Sequence, residues 1–180
     1  MGKNYSTIDD SVRQFIEAQP LFFVGSAPLD CDGHVNVSPK GLDTLRVLGP
    51  QTIAYLDLTG SGIETVSHLK ENGRIVLMFC AFQGPPKILR VHGRGRVIEN
   101  EQTEFSDLAA HFPAYEGTRA IILVEVSLLS DSCGFGVPLL QYQGERGQLS
   151  AWAHKLGSEG LKTYRQEKNR QSIDRIPGLD

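Results

Sequence analysis

Cysteine, tryptophan and long apolar runs are all scarce in this 180-residue chain. The three cysteines, Cys31, Cys80 and Cys133, show no C-x-x-C spacing. None of them joins His34, His68, His92, His111 or His154 in a ligand pattern, so no metal centre is expected. No apolar stretch approaches membrane-spanning length. The polar start, Met1 to Arg13, lacks the apolar core of a signal peptide, and the expected location is the cytoplasm. An excess of one charge is also missing: 18 basic side chains face 21 acidic ones, for a net charge of −3. That balance argues against a nucleic-acid or anionic-membrane partner. Several catalytic signatures are absent as well. There is no G-x-S-x-G elbow, no Walker lysine after a glycine loop, and no carboxylate pair for glycoside chemistry. Gly93-Arg94-Gly95 lacks the third glycine of a dinucleotide fingerprint and lies inside a strand-like run.

What the chain does have is strand periodicity. Leu21–Ala27, His34–Ser38, Thr52–Leu58, Arg74–Phe82, Ile88–Glu99 and Arg119–Leu129 read as six strands, separated by turn chemistry such as Asp32-Gly33 and Gly49-Pro50. Most of them follow one another directly, which argues for an antiparallel barrel or sandwich. Glu64–Asn72 is the exception, a helical crossover with Gly73 as its stop signal. Further helices are expected around Ser11–Ala18 and Glu101–Phe112. A helical region follows Gln148, interrupted at Gly157, where Trp152 is expected to serve as a packing anchor. The chain reads as a single domain over 1–180, with the barrel at about 19–130 and a helical extension at about 145–180.

Two constellations carry candidate chemistry. The first is Thr59-Gly60-Ser61-Gly62-Ile63-Glu64-Thr65, a glycine-flanked loop opening a helix. Its unpaired N–H groups and the helix dipole suit an anion, and the Ser61 and Thr65 hydroxyls could add donors. Ser61 and Glu64 have the S-x-x-E spacing of a capping box. The second is Asn36-Val37-Ser38-Pro39-Lys40-Gly41. Here Asn36 and Ser38 share a strand face and Lys40 follows as a point charge suited to phosphate. An ordinary capped helix and a solvated loop lysine are the bland alternatives. Arg90, His92, Arg94 and Arg96 share a third, basic face. Such a face either complements an anion or is simply the wet side of a sheet. Cys80 and His92 are expected to pack. A phosphate-binding site with no obvious nucleophile suggests that the ligand carries the reactivity.

The order of Asn36–Gly41, Tyr55–Gly62 and His68–Phe79 resembles the pyridoxamine 5′-phosphate oxidase-like family of flavin-binding split barrels, over roughly Gln19 to Leu129. Cys133–Pro138 and the tail after Arg165 resemble an uncharacterised subgroup of it. The resemblance implies a mainly β (α+β) fold, a six-stranded antiparallel split β-barrel with a helical crossover, flanking helices and a helical C-terminal extension. It further implies an FMN-binding homodimer with the cofactor at the subunit interface, acting as an oxidoreductase on an unidentified small molecule. By position, Lys40 would meet the FMN phosphate, with Ser38 and Asn36 near the ribityl chain or ring edge. Thr59, Gly60, Ser61, Gly62, Glu64 and Thr65 would wrap the other side, with Arg90 as a further cation. The family's oxidases carry basic residues at the helix start, where this chain has Glu64 and Thr65. They also end in an Arg-x-His substrate motif that Ser172–Pro177 does not reproduce. A non-catalytic protein binding flavin, deazaflavin F420 or haem on the same barrel is the alternative, with a ligand-free dimer as a third reading.

Overall fold

The computed structural model describes residues 2–179. A short β1 (Asn4–Tyr5) and helix α1 (Asp10–Glu17) precede β2 (Phe22–Ser26), β3 (Asn36–Lys40), β4 (Leu45–Gly49) and β5 (Thr52–Leu58). Helix α2 (Glu64–Asn72) crosses to β6 (Arg74–Cys80), β7 (Ile88–Glu99), helix α3 (Phe105–Ala109), β8 (Thr118–Ser132) and helix α4 (Gln148–Lys168). Among the described residues no helix is long and apolar enough to cross a membrane.

The sheet has eight antiparallel strands in the order β3-β2-β6-β7-β8-β5-β4, with β1 added beside β8. In that order β2 and β5 stand four steps apart, which in a flat sheet would separate them by about 19 Å. Instead the Phe22 ring on β2 lies 5.6 Å from the Tyr55 ring on β5. The sheet therefore curls into an open, split barrel whose edges are β3 and β4. Phe22 also stacks on Phe79 at 5.8 Å, and these rings share the inner core with Leu77, Leu89 and Ile122. A second apolar layer joins Ala54, Leu56, Ile98 and Ile121 to Phe105, Leu108 and Phe112 of the α3 region. This layer explains why β5 is buried on both faces.

Two strands beyond the six expected are present, and neither carries a strong local signal. β1 is two residues long and exists by pairing with Leu129 and Ser130. β4 does not alternate in burial, and a register shift between Val47 and Gly49 interrupts it. β3 begins and ends two residues later than expected, so Lys40 is the last residue of the strand and pairs with Phe22. Pro39 is tolerated inside β3 because an edge strand leaves one side without a ladder. Helix α3 covers only part of Glu101–Phe112.

Helix α2 buries Thr65 through Leu69 against the sheet. A Cβ on Gly95 of β7 would come within 2.8 Å of Leu69, so the strand is bare where the helix crosses it. Gly73 ends α2 at φ 69°, its N–H donating to the Leu69 carbonyl over 3.0 Å. Within α4, Gly157 (φ 64°) makes the expected interruption, and Trp152 packs edge-on to Tyr164 across it at 5.0 Å. The tail then returns to α2, where Lys70 Nζ donates to the Gly178 carbonyl (2.7 Å) and Ser67 Oγ to that of Ile176 (3.2 Å). Because only glycine adopts the left-handed C-terminal position freely, Gly73→Ala is expected to cost about 1 kcal/mol. Urea unfolding should show that loss as a lower midpoint at unchanged slope.

Candidate functional site

The site is organised around one buried acid. Asp57 interrupts the apolar strand β5 and is fully buried. Arg119, at the opening of β8, donates from Nε to Asp57 Oδ2 over 2.7 Å. Burial alone would push the Asp57 carboxyl up, but Arg119 and then Lys40 more than offset it and hold it below its usual range. The remaining Arg119 donors reach the glycine loop and the C-terminal region. Nη1 donates to the Gly60 carbonyl (3.1 Å) and to Asn169 Oδ1 (2.9 Å), and Nη2 to the Gly62 carbonyl (2.7 Å). Asn169, itself buried, adds a second donor to the Gly60 carbonyl at 2.8 Å.

This clamp sets the direction of the loop. Its carbonyls point at the guanidinium, and the N–H groups of Gly60, Ser61, Gly62 and Ile63 find no backbone partner among the described residues. Thr59 is pinned separately. Its hydroxyl donates to the Gly117 carbonyl (2.8 Å) and accepts from Arg165 Nε (2.9 Å). The expected Ser61/Glu64 capping box does not form. The N-cap of α2 is Ile63, with no side-chain cap bond, Glu64 is the first helical residue, and Ser61 is exposed in the loop. The tertiary clamp on the loop carbonyls holds the turn open two residues longer than the local motif would.

Asn36, Ser38 and Lys40 point to the inner side of the edge strand β3. Lys40 Nζ lies 3.3 Å from Asp57 Oδ1, so Lys40 and Arg119 share a single carboxylate, while Arg165 is engaged with Thr59 Oγ1 and the Thr118 carbonyl. Burial, and then the Arg119 charge, lowers the Arg165 pKa. Asn36 Nδ2 donates to Thr65 Oγ1 (2.9 Å) and to Ser26 Oγ (3.2 Å), and Ser26 Oγ lies 3.0 Å from His68 Nδ1. Burial holds the His68 pKa down against the opposing pull of Asp174, Glu71 and Glu64. Ser38 Oγ, Tyr55 Oη and His68 Nε2 are buried without a partner among the described residues. Buried polar atoms in native proteins are almost always paired, so three orphans around one region are notable.

Lys40, Thr59 and Gly60 line a cleft of about 550 Å³, together with Tyr142, Glu145 and Arg146. Asn36 and Thr65, joined by a hydrogen bond, do not line it, nor do Ser38 and Glu64, and Gly62 is exposed in the loop with Ser61. Arg90 stands apart. It belongs to the outward row that runs Pro39, Phe23, Met78, Arg90 across β3, β2, β6 and β7, and its Nη1 donates to Ser132 Oγ over 3.2 Å. Arg94 and Arg96 are exposed and engaged with the Asn72 carbonyl and Glu104, as the wet side of a sheet would be. Asp57, Arg119, Arg165 and Asn169 are absent from the sequence-based candidates. A lone acid within an apolar strand was the available signal for Asp57, since such a charge needs a buried partner.

An open antiparallel split barrel with a helix crossing one mouth defines the structural class. A family profile described as pyridoxamine 5′-phosphate oxidase matches residues 8–133. A pyridoxamine 5′-phosphate oxidase family protein, ustO of Aspergillus flavus, is 38% identical over 192 aligned positions, covering 97% of this chain and 77% of the relative. The chain belongs to the pyridoxamine 5′-phosphate oxidase family. Among solved structures, HupZ of Group A Streptococcus superposes with a TM-score of 0.52 at 20% identity, covering 67% of this chain and 91% of that one. A protein of Mesorhizobium loti described as FAD-binding gives a TM-score of 0.50 at 10% identity, covering 73% and 97%.

Removing the Asp57 charge leaves Arg119 buried without its counter-ion. Asp57→Asn is therefore expected to destabilise the fold by roughly 3–5 kcal/mol at neutral pH. A carboxyl held low when folded contributes stability above its unfolded pKa of about 3.9 and loses it as pH falls through the folded value. Urea unfolding of the variant between pH 7 and acid should accordingly show a shallower pH dependence than the parent in that acid range.

Proposed function

We propose that the protein is an FMN-binding flavoprotein and an oxidoreductase acting on a small molecule other than pyridoxamine phosphate. The observation that carries this reading is the pairing of both Lys40 and Arg119 with the one buried carboxylate of Asp57, next to the glycine loop. Two cations against one buried anion leave a positive charge suited to a phosphate. The residues present fit such a group. Lys40 borders the cleft, nothing lies within 4 Å of where a Gly60 Cβ would be, and the loop N–H edge is unengaged. A volume of about 550 Å³ falls in the ordinary range for cofactor sites. Family membership and the FAD-binding neighbour support the same cofactor class.

FMN, when bound, supplies two-electron redox chemistry that no side chain here provides. Lys40 and the loop N–H groups hold the phosphate, and Arg119 keeps that loop in a binding shape from below. Ser38, whose buried hydroxyl has no partner among the described residues, is the donor we assign to the cofactor from the edge strand. The tail argues against pyridoxamine phosphate. Where the family's oxidases carry Arg-x-His, the Ser172 N–H donates to the Ile176 carbonyl at 2.9 Å, closing a turn in which Arg175 takes φ 62°. Asp174 of that turn is held by both the backbone N–H and the ring of His34.

A homodimer belongs to the same proposal. Val35, just before β3, and Val37, on its outward face, are 75% and 65% exposed. The Val37 row continues through Gly25, Val76 and His92 to Leu128, itself 40% exposed, giving an apolar stripe suited to a second copy. Three cysteines without disulfides suit a reducing, cytoplasmic setting.

The visible spectrum of the purified protein and a titration with FMN test the cofactor. Flavin bands or saturable binding are expected, and a Soret band or indifference to FMN would overturn the reading. Lys40→Ala should weaken FMN binding by roughly tenfold or more, the worth of one charged contact, in fluorescence titration. An unchanged affinity would remove Lys40 from the phosphate site.

A further inference from the structure

A second cleft, of about 810 Å³, adjoins the first and shares with it Pro20, Leu42, Tyr142 and Glu145. The chemistry of its wall is different. Phe22, Phe79, Phe82, Tyr115 and Tyr142 supply aromatic surface, and Leu42, Leu45 and Leu140 supply aliphatic surface. Its charged members are Glu17, Asp43 and Glu145, and no lysine, arginine or histidine is among the lining residues. Two of the three carboxylates have basic partners, Glu17 with Arg13 (3.8 Å) and Asp43 with Arg46. Glu145 has none among the described residues and accepts only the Tyr142 hydroxyl, over 2.8 Å.

From this contrast we infer that the larger cleft is the organic-substrate subsite of the proposed flavoprotein, and that it takes an aromatic molecule bearing an ammonium group. The inference rests on the flavin reading for the word substrate, but the binding chemistry stands on the cleft alone. Aromatic walls favour a flat ring by offset and edge-to-face contact, and tyrosine and phenylalanine faces also attract cations. A carboxylate without a basic partner, at the wall shared with the cofactor cleft, attracts an ammonium and repels an anion. A phosphate or carboxylate substrate would meet the unpaired Glu145 carboxylate and no cation among the lining residues. The two clefts thus differ in charge, since Lys40 and Arg146 line the first and no cation lines the second. The cationic one suits the cofactor phosphate, and the acidic aromatic one suits a cationic ring compound held against the shared wall of Tyr142 and Glu145.

Isothermal titration of the purified protein with three matched probes tests this: tyramine, 2-(4-hydroxyphenyl)ethanol and 3-(4-hydroxyphenyl)propionate. Tyramine is expected to bind at least about tenfold more tightly than the neutral alcohol, an ordinary margin for one charged contact, and the propionate to bind most weakly. Glu145→Gln, on an exposed segment where the fold has little to lose, should erase the preference for tyramine and leave the alcohol unchanged. Phe82→Ala should weaken tyramine and the alcohol alike. Equal or tighter binding of the propionate, binding of no probe, or a tyramine preference that survives Glu145→Gln would each overturn the inference. The flavin reading fails separately. Tyramine binding without FMN binding would sink the flavoprotein and keep this subsite, and FMN binding without any probe binding would sink this subsite alone.

Discussion

A guanidinium taken out of water must keep its charge, so nearly every donor it carries has to find an acceptor nearby. Arg119 meets that demand with one carboxylate, two loop carbonyls and one side-chain amide. Much else follows from this arrangement. The Asp57 carboxylate needs the guanidinium as counter-ion, the glycine loop turns its carbonyls inward because the remaining donors lie there, and Asn169 ties the end of α4 to the same point. The loop, two strands and the C-terminal region are thereby tied together at one point.

The clamp also decides which edge of the loop is available. With the Gly60 and Gly62 carbonyls consumed from below, the N–H edge is the side left to face a ligand, beside Lys40 on the opposing strand. A surface suited to an anion is thereby built mainly from backbone and held in shape by side chains that do not line the cleft themselves. The helix start contributes less than its glycine-rich approach suggests, since Ile63 caps it without a side-chain bond. Charge then divides the surroundings. Cations gather under the loop, and carboxylates gather around the aromatic cleft one wall away.

Legibility in the sequence followed the range of the interactions. β5 and β7 appear with the expected bounds, and Gly73 and Gly157 interrupt helices where expected, because alternation and left-handed glycine are properties of a few adjacent residues. β1 and β4 were not legible, since the first is two residues whose strand character comes from pairing with β8, and the second lacks alternation. The S-x-x-E motif was misleading for the converse reason. It is a local preference of order 1 kcal/mol, set against a buried guanidinium that binds the same loop. Lys40, Thr59 and Gly60 come together in one cleft, while Arg90 shares their basic or polar chemistry and lies three strands away from β3.

The sequence by itself determined the antiparallel character of the sheet, the single helical crossover, the glycine loop and its lysine partner. Each is written in hydrophobic period, turn chemistry or residue order within a short window. The tertiary structure alone decided that Asp57 pairs with Arg119, 62 residues away, that Asn169 closes the cluster, and that an acidic aromatic cleft shares a wall with a cationic one. A buried charge must find a partner, but periodicity cannot say which. That choice is made by how the curled sheet brings strand ends together, and only the folded chain contains it.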